Sequence, residues 1–390
     1  MMWSMEKAGP PGAEVGDEIL LARAYLSAVA EPPAPALAGF IAAHGASRAA
    51  EVVRSGSAPP SVADEVDARR EHVSGEAALE AAAMAGLRLV TPEHSGWPHK
   101  SFDSLADATA IGLPGMAAPI ALWVRGQVAF AESLGTSVAI VGARAASGYG
   151  ERVAAEFAHG LAIEGYTVVS GAAYGIDGAA HRGALAAGRP TIAFLACGAD
   201  IDYPSGHSML LRAIGEQGAV VSEYAPGTEP RKHRFLVRNR LIAACGQGTV
   251  VVEAGARSGA SNTANTADAL GRPVMAVPGP VTSKSSVGCH EMVRSGKALL
   301  VTNVDHVREV LSPLGVGPTT DLPVPAKATD SLDRVAKQLH DALSDSAATS
   351  ADELARDSGL PLRKVRALLP ALELAGLAVR EERGWSRNPT

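Results

Sequence analysis

From about residue 136 the chain alternates short, unbroken apolar runs with Gly-rich turns and stretches of helical pattern. The runs are VAIVG (138–142), TVVSG (167–171), TIAFLA (191–196), AVVSE (219–223), TVVVEA (249–254) and PVMAVPG (273–279). Runs rich in Val and Ile that lack polar alternation read as strands buried on both faces. Their alternation with helices predicts an α/β fold: a doubly wound parallel sheet with right-handed crossovers and helices on both faces. Upstream, residues 1–16 read as a flexible tail. Residues 17–86 read as a domain of short helices, opening on Ile19, Leu20, Leu21, Ala24, Tyr25 and Leu26, with another Ala- and Glu-rich helix over Glu71–Met84. An extended stretch, GLRLVTPEHSGWP, and a buried strand, PIALWVRG, lead into a core spanning 87–311. Residues 312–330 form a Pro-, Gly- and Thr-rich linker. Residues 331–390 predict a helix over Leu332–Leu343, then a helix capped by Ser350 with Glu353 three residues on, a capping box. A third helix opens with Pro361 at its first position. FLVRNRLIAAC within the core also reads as a helix, with Phe235 and Leu236 on its apolar side. A hairpin turning near Gly384 completes the winged-helix pattern.

Composition narrows the class. The 390 residues are 47% apolar and 19% charged, enough for a sizeable core and too few charges for a disordered chain. Cys197, Cys245 and Cys289 are the three cysteines, too few and too widely spaced for a disulfide framework or a CxxC metal site. The expected setting is reducing and cytoplasmic. No apolar run is long enough to span a bilayer, and the first residues lack the apolar segment of a secretory signal. Net charge is −6, which taken alone argues against nucleic acid. Its distribution argues otherwise. Residues 231–300 carry 10 basic and 3 acidic side chains, net +7, inside an otherwise acidic chain. The densest part is PRKHRFLVRNR, with Arg231, Lys232, Arg234, Arg238 and Arg240 and no acid.

Doubly wound sheets bind ligands beyond the carboxyl ends of their strands. The turns there (VGARAASGYG, SGAAYGIDGAAH, ACGADIDYPSGH, SEYAPGTEP, VEAGARSGASNTA) are rich in Gly and small residues, and several run into helix N-termini, where free amides and the dipole favour an anion. Neither GxGxxG nor GxxxxGK[ST] occurs, which disfavours dinucleotide or ATP binding in their usual modes. Arg144, directly after the first of these strands, suits a phosphate or a base edge. Arg238 and Arg240 stand two residues apart and so face different ways; one is expected on a phosphate and the other bracing the fold. Phe235 and Tyr149 are the candidate base-stacking residues. His181 follows Asp177 by four, a spacing that allows a His–carboxylate pair and hence an acid–base reading. No HExxH, GxSxG or clustered His/Cys set supports metal or acyl-transfer chemistry, so no cofactor is expected.

Six ordered motifs, VAIVGARAASGYG, VVSGAAYGIDGAAHRGAL, TIAFLACGADIDYPSGH, VVSEYAPGTEPRKHRFLVRNRLIA, VVVEAGARSGASNTANTADALGRPVMAVPGP and SVGCHEMVRSG, resemble the DNA-processing protein A (DprA, also called Smf) family over roughly residues 87–310. The N-terminal helices are similar to that family's sterile-alpha-motif-like or helix–hairpin–helix-like segment, and the C-terminal unit to its winged helix. The resemblance implies an extended Rossmann-like core and a non-enzymatic protein that binds single-stranded DNA. It also implies protection of incoming DNA in natural transformation, loading of the RecA recombinase, and a homodimer through the Rossmann core. It carries a DNA or phosphate contact onto Gly142 and Arg144, Arg238-Asn239-Arg240, and Ser258, Gly259, Asn262 and Thr263; the Gly171 amide in its strand-end turn and Lys232 in the basic run are candidates beside them. Ala143 departs from the family's Ser, Ser261-Asn262 from its apolar pair, and Cys289-His290 from its Thr-Asn. Two rival readings remain. One is a nucleotide-processing enzyme resembling phosphoribohydrolases, using Asp177 and His181, although the PGGxGT loop is absent. The other is duplex DNA or protein binding through the winged helix, on Arg363, Lys364, Arg366, Arg380, Arg383 and Arg387.

Overall fold

The computed structural model describes residues 15–126, 128–256, 258–312, 329 and 331–388. The expected tail lies almost wholly, and the expected linker largely, outside them. The chain divides into two compact units, at residues 318 and 319.

In the first unit the six expected strands are β3 (Ser137–Gly142), β4 (Thr167–Ser170), β5 (Thr191–Leu195), β6 (Ala219–Ser222), β7 (Thr249–Val252) and β8 (Val274–Ala276). They join β1 (Arg88–Val90), β2 (Leu122–Arg125) and β9 (Leu299–Leu300) in one sheet of order β1-β2-β6-β5-β4-β3-β7-β8-β9. Pairing from β6 to β9 is parallel, while β1–β2 and β2–β6 are antiparallel. β9 was invisible in the hydropathy pattern because it is a two-residue edge strand with both leucines exposed.

The missing alternation has a direct cause. Val138, Ile140, Val168, Val250 and Val252 pack into the layer of Phe157, Leu161 and Ile176. Their neighbours Ala139, Val141, Val169 and Val251 pack into the opposite layer with Phe102, Leu105 and Phe194. Every position along a central strand is thus core, each aliphatic side chain contributing roughly 1.5–3 kcal/mol by burial. The N-terminal helices build their own cluster around Tyr25, Leu26, Leu37 and Val53. Ala24 and Ala82 also join Leu87, Trp123, Leu195 and Ile214, so these helices are fastened to the sheet. The helix expected from Glu71 begins at Gly75, capped by the Ser74 side chain.

β3 is flanked by β4 on one side and β7 on the other. The order reverses there, and a crevice opens beyond the carboxyl ends of these strands. Gly142 ends β3 at this point; a Cβ on it would overlap the Val252 carbonyl oxygen and the Ile176 side chain. Only glycine lets the strand and the helix Ile176–Ala186 approach so closely.

The second unit has helices Arg334–Ala342, Ala351–Ser358 and Leu362–Leu374 and the antiparallel pair β10 (Ala378–Glu381) and β11 (Gly384–Arg387). Both halves of the Ser350–Glu353 capping box form. Pro361 is the N-cap rather than the first helical residue. Leu339, Leu354, Val365, Leu369 and Leu372 fill its core.

Candidate functional site

A cavity of about 590 Å³ occupies the switch point. One wall is the turn after β3, carrying Gly142 and Arg144; the other is the helix Lys232–Cys245, carrying Lys232, Phe235, Arg238 and Asn239. Its floor is the start of the helix Gly259–Ala269. There the Ser258 hydroxyl accepts from the Ser261 amide at 3.2 Å. The amides of Gly259 and Ala260 have no partner within the helix, as at any helix start, and favour an anion.

The cations around this cavity divide sharply. Arg144 is exposed, with its guanidinium 4.7 Å from the centre of the Phe235 ring, a cation–π contact. Lys232 is exposed too, and neither has an ion pair among the described residues. The other arginines of the basic helix turn inward. Arg238 donates to the carbonyls of Gly171, at 2.7 Å, and Phe194, tying together the ends of β4 and β5. Gly171 is glycine because a Cβ there would strike that guanidinium. Arg234 grips Glu31 at 2.7 and 2.9 Å. Arg240, 2% exposed, makes a bidentate pair with Glu223 at 2.8 and 2.7 Å and donates to the Ala117 carbonyl at 2.9 Å.

The expected residues accordingly sort themselves. Gly142, Arg144, Lys232, Phe235, Arg238, Asn239, Ser258, Gly259 and Thr263 come together around the cavity. Arg240 does not: its charge is consumed by Glu223, so the phosphate role expected of it is corrected to a brace. Gly171 receives Arg238 through its carbonyl and lines the smaller recess beside the cavity. Asn262 accepts from Asn239 at 3.1 Å, which clamps two helices and accounts for a polar residue where the family has an apolar one. Tyr149 lies off the cavity and donates to the Pro278 carbonyl at 2.7 Å. The helix also buries Arg234, Arg238 and Arg240 while leaving Leu236 55% exposed and Phe235 half-buried, the reverse of the apolar side expected for it. The arginines go inward because carboxylates and strand-end carbonyls await them.

Asp177 and His181 do not pair. The His181 ring is fully buried, with Nδ1 2.8 Å from the Thr191 hydroxyl, which itself donates to the Val168 carbonyl. Nδ1 therefore carries the proton, Nε2 has no partner, and burial lowers the ring to about 3. Asp177 lines the cavity; burial raises its carboxyl above the ordinary range, against the pull of Arg238.

Two groups escaped the sequence reading. Tyr203 also lines the cavity, its ring 5.6 Å from that of Phe235; its place in a Gly-rich strand-end turn was the available signal. Glu253, at φ 55°, accepts from the Ser147 amide and hydroxyl at 2.8 and 2.5 Å and from Ser285 at 3.1 Å, locking the turn that presents Arg144. Among the described residues no group of three or more His, Cys, Asp or Glu could hold a metal, and no helix is long and apolar enough to cross a membrane. The three cysteines are buried, and burial lifts Cys197 to about 12 and Cys289 to about 11.

An open, mostly parallel α/β sheet whose switch point carries two exposed cations without ion pairs, helix-start amides and an aromatic face defines a Rossmann-like protein. The chain belongs to the DNA recombination-mediator protein A family, whose profile matches residues 88–312; the DprA winged helix domain matches residues 323–382. It is 46% identical over 369 residues to a Mycobacterium tuberculosis protein provisionally named DNA processing protein DprA, covering 95% of this chain and 94% of that one. Protein Smf of Escherichia coli is 37% identical over 272 residues, 69% of this chain and 72% of that one. The X-ray structure of DNA processing protein A from Streptococcus pneumoniae superposes with a TM-score of 0.60 at 30% identity, covering 74% of this chain and 96% of that chain.

Proposed function

We propose that the chain binds single-stranded DNA in the switch-point cavity, without catalysis, and acts in recombination or transformation by protecting incoming strands and promoting RecA loading. The observation that carries the binding reading is Arg144 lying over Phe235 beside the free Lys232. Cations take the phosphates, the helix-start amides assist, and the aromatic face takes an unpaired base, a combination suited to single strands. The inward arginines shape the groove and do not touch the ligand. Assembly as a homodimer through the Rossmann core and contact with RecA follow from the family and are part of the same proposal. The test is binding of fluorescent oligothymidine at two salt concentrations with duplex of equal length as competitor. Tight, salt-sensitive binding that Arg144→Ala weakens is expected; equal or preferred duplex binding overturns the reading.

A second reading concerns the winged helix. Arg363 and Lys364 on its third helix and Arg383 at the hairpin turn are exposed and without ion pairs among the described residues. The second helix of such a pair enters the major groove in helix–turn–helix proteins, so this unit binds duplex DNA in that reading. Deleting residues 325–390 should then lower duplex affinity and leave single-strand affinity intact; unchanged duplex affinity would assign the unit to protein docking.

A further inference from the structure

Two tyrosines beside the cavity hold their rings in solvent, Tyr174 at 48% and Tyr203 at 40% exposure. Tyr174 comes from the turn after β4 and Tyr203 from the turn after β5. With Pro204 and Cys197 they line a recess of about 60 Å³ that shares Arg144 and Phe235 with the larger cavity. Both rings are held in place. Tyr203 packs on Phe235 at 49° between ring planes. Tyr174 meets His207 edge-on at 4.8 Å, and the Gly206 amide donates to its hydroxyl at 3.2 Å. His207 is in turn fixed by its Nδ1, 3.0 Å from the Ala172 carbonyl. Rigid aromatic faces turned to water next to a guanidinium are what a stacked base requires. The recess is too small to enclose a nucleobase, so a base would lie across its mouth, on the rings.

We propose that Tyr203 and Tyr174 form a second stacking station for an unpaired nucleobase neighbouring the one on Phe235. They would set the strand's course from the switch point toward the carboxyl end of β5. This rests on the reading that the cavity holds single-stranded DNA.

The test is a ladder of oligothymidines of increasing length, titrated by fluorescence anisotropy. Wild type should gain affinity in a step when the strand becomes long enough to reach the second station. Tyr174→Leu should lose that step, about five-fold to a hundred-fold in Kd, and keep wild-type affinity for the shortest strands. Tyr203→Leu should lose the step and also weaken the shortest strands, because Tyr203 lines the first cavity and packs on Phe235. Phe235→Leu should weaken every length. Tyr174→Phe keeps the ring and discards the bond to Gly206, so it should restore the step; a residue needed only to anchor that turn would not be rescued. Where a Leu variant fails to fold, Tyr174→Trp supplies the readout, its emission quenched when a thymine stacks on it. A length dependence identical in wild type and the Leu variants, or an unquenched Trp at saturation, overturns the second station while an Arg144→Ala defect in the same assay leaves the first cavity standing. Failure of wild type to bind any oligothymidine overturns the underlying reading.

Discussion

Arg144 and Arg240 carry the same charge and each stands in a family motif, yet their replacement should fail in opposite ways. Arg240→Met leaves the Glu223 carboxylate, 5% exposed, without its two charge-assisted bonds at 2.8 and 2.7 Å. Breaking one side of a buried ion pair costs about 3–5 kcal/mol, and the Ala117 carbonyl loses its donor for about 1 kcal/mol more. Against a typical stability of about 5–15 kcal/mol this is a large fraction, and urea unfolding followed by circular dichroism should show a much lower midpoint. The double change Arg240→Met with Glu223→Leu should recover much of the loss, because it removes the stranded charge as well. Arg144→Ala removes an exposed side chain with no ion pair and only a ring contact, so its midpoint should stay within about 1 kcal/mol of wild type. Its oligothymidine affinity should fall, and the slope of log affinity on log salt should shrink by about 0.7, the share of one phosphate on a single strand. An Arg240→Met protein with a wild-type unfolding midpoint and a reduced salt slope would refute the division, placing Arg240 on the ligand.

Acid should destabilise the first unit through two identifiable groups. His181 is held neutral, lowered by burial to about 3, so the unfolded chain takes up a proton below its ordinary value of 6.5 and stability falls as pH drops from there toward 3; His181→Gln should flatten that part of the profile in thermal unfolding. Burial would raise Glu31, but hydrogen bonds from Arg234, Arg69 and His233 hold it at about 2. Its contribution, about 1–2 kcal/mol after screening, is present above pH 4.5 and lost as pH falls through 2, and Glu31→Gln should remove it. Gly142→Ala should cost several kcal/mol or prevent folding, because the added methyl meets the Val252 backbone in a core with no room for it; soluble yield and Tm report it. Ser350→Ala should loosen the second helix of the winged unit by about 1 kcal/mol, seen as faster amide exchange over Asp352–Leu354.

The sheet was legible because burial on both faces writes itself into six consecutive runs such as VAIVG and TVVV, and turn glycines mark where each strand stops. What could not be read was anything decided by a partner distant in sequence. FLVRNRLIAAC has the apolar residues of an ordinary amphipathic helix; that Arg240 would go inward depended on Glu223 and Ala117 being there to receive it. The spacing of Asp177 and His181 puts them on one helical face, but Thr191 from β5 competes for the imidazole and wins. Tyr149 has the right residue type in the right turn, and the Pro278 carbonyl draws it to the other side. Arg144 could be picked out because a strand-end turn at the switch point is where such sheets bind ligands, and Lys232 and Phe235 because they stand in the one dense basic run of the chain.

The same pairing changes what the charge island means. Of the five cations in PRKHRFLVRNR, Arg240 is cancelled by Glu223 and Arg234 by Glu31, Arg231 lies 3.8 Å from Glu229, and Arg238 is held on carbonyls. The partner acids Glu31, Glu223 and Glu229 come from the acidic part of the chain, so much of the charge in this densest stretch is paired across the two halves of the pattern. Lys232 is left from this stretch, and Arg144 joins it at the cavity from outside. Two free cations predict a salt slope of about −1.4 for phosphates held in this cavity by one chain, where five would give about −3.5. A slope near the larger value would mean that the inward arginines leave Glu31, Glu223 and the strand-end carbonyls when DNA binds. That rearrangement should also appear as a loss of stability of the bound core against protease, whereas a shallow slope with increased protection fits a groove built in advance.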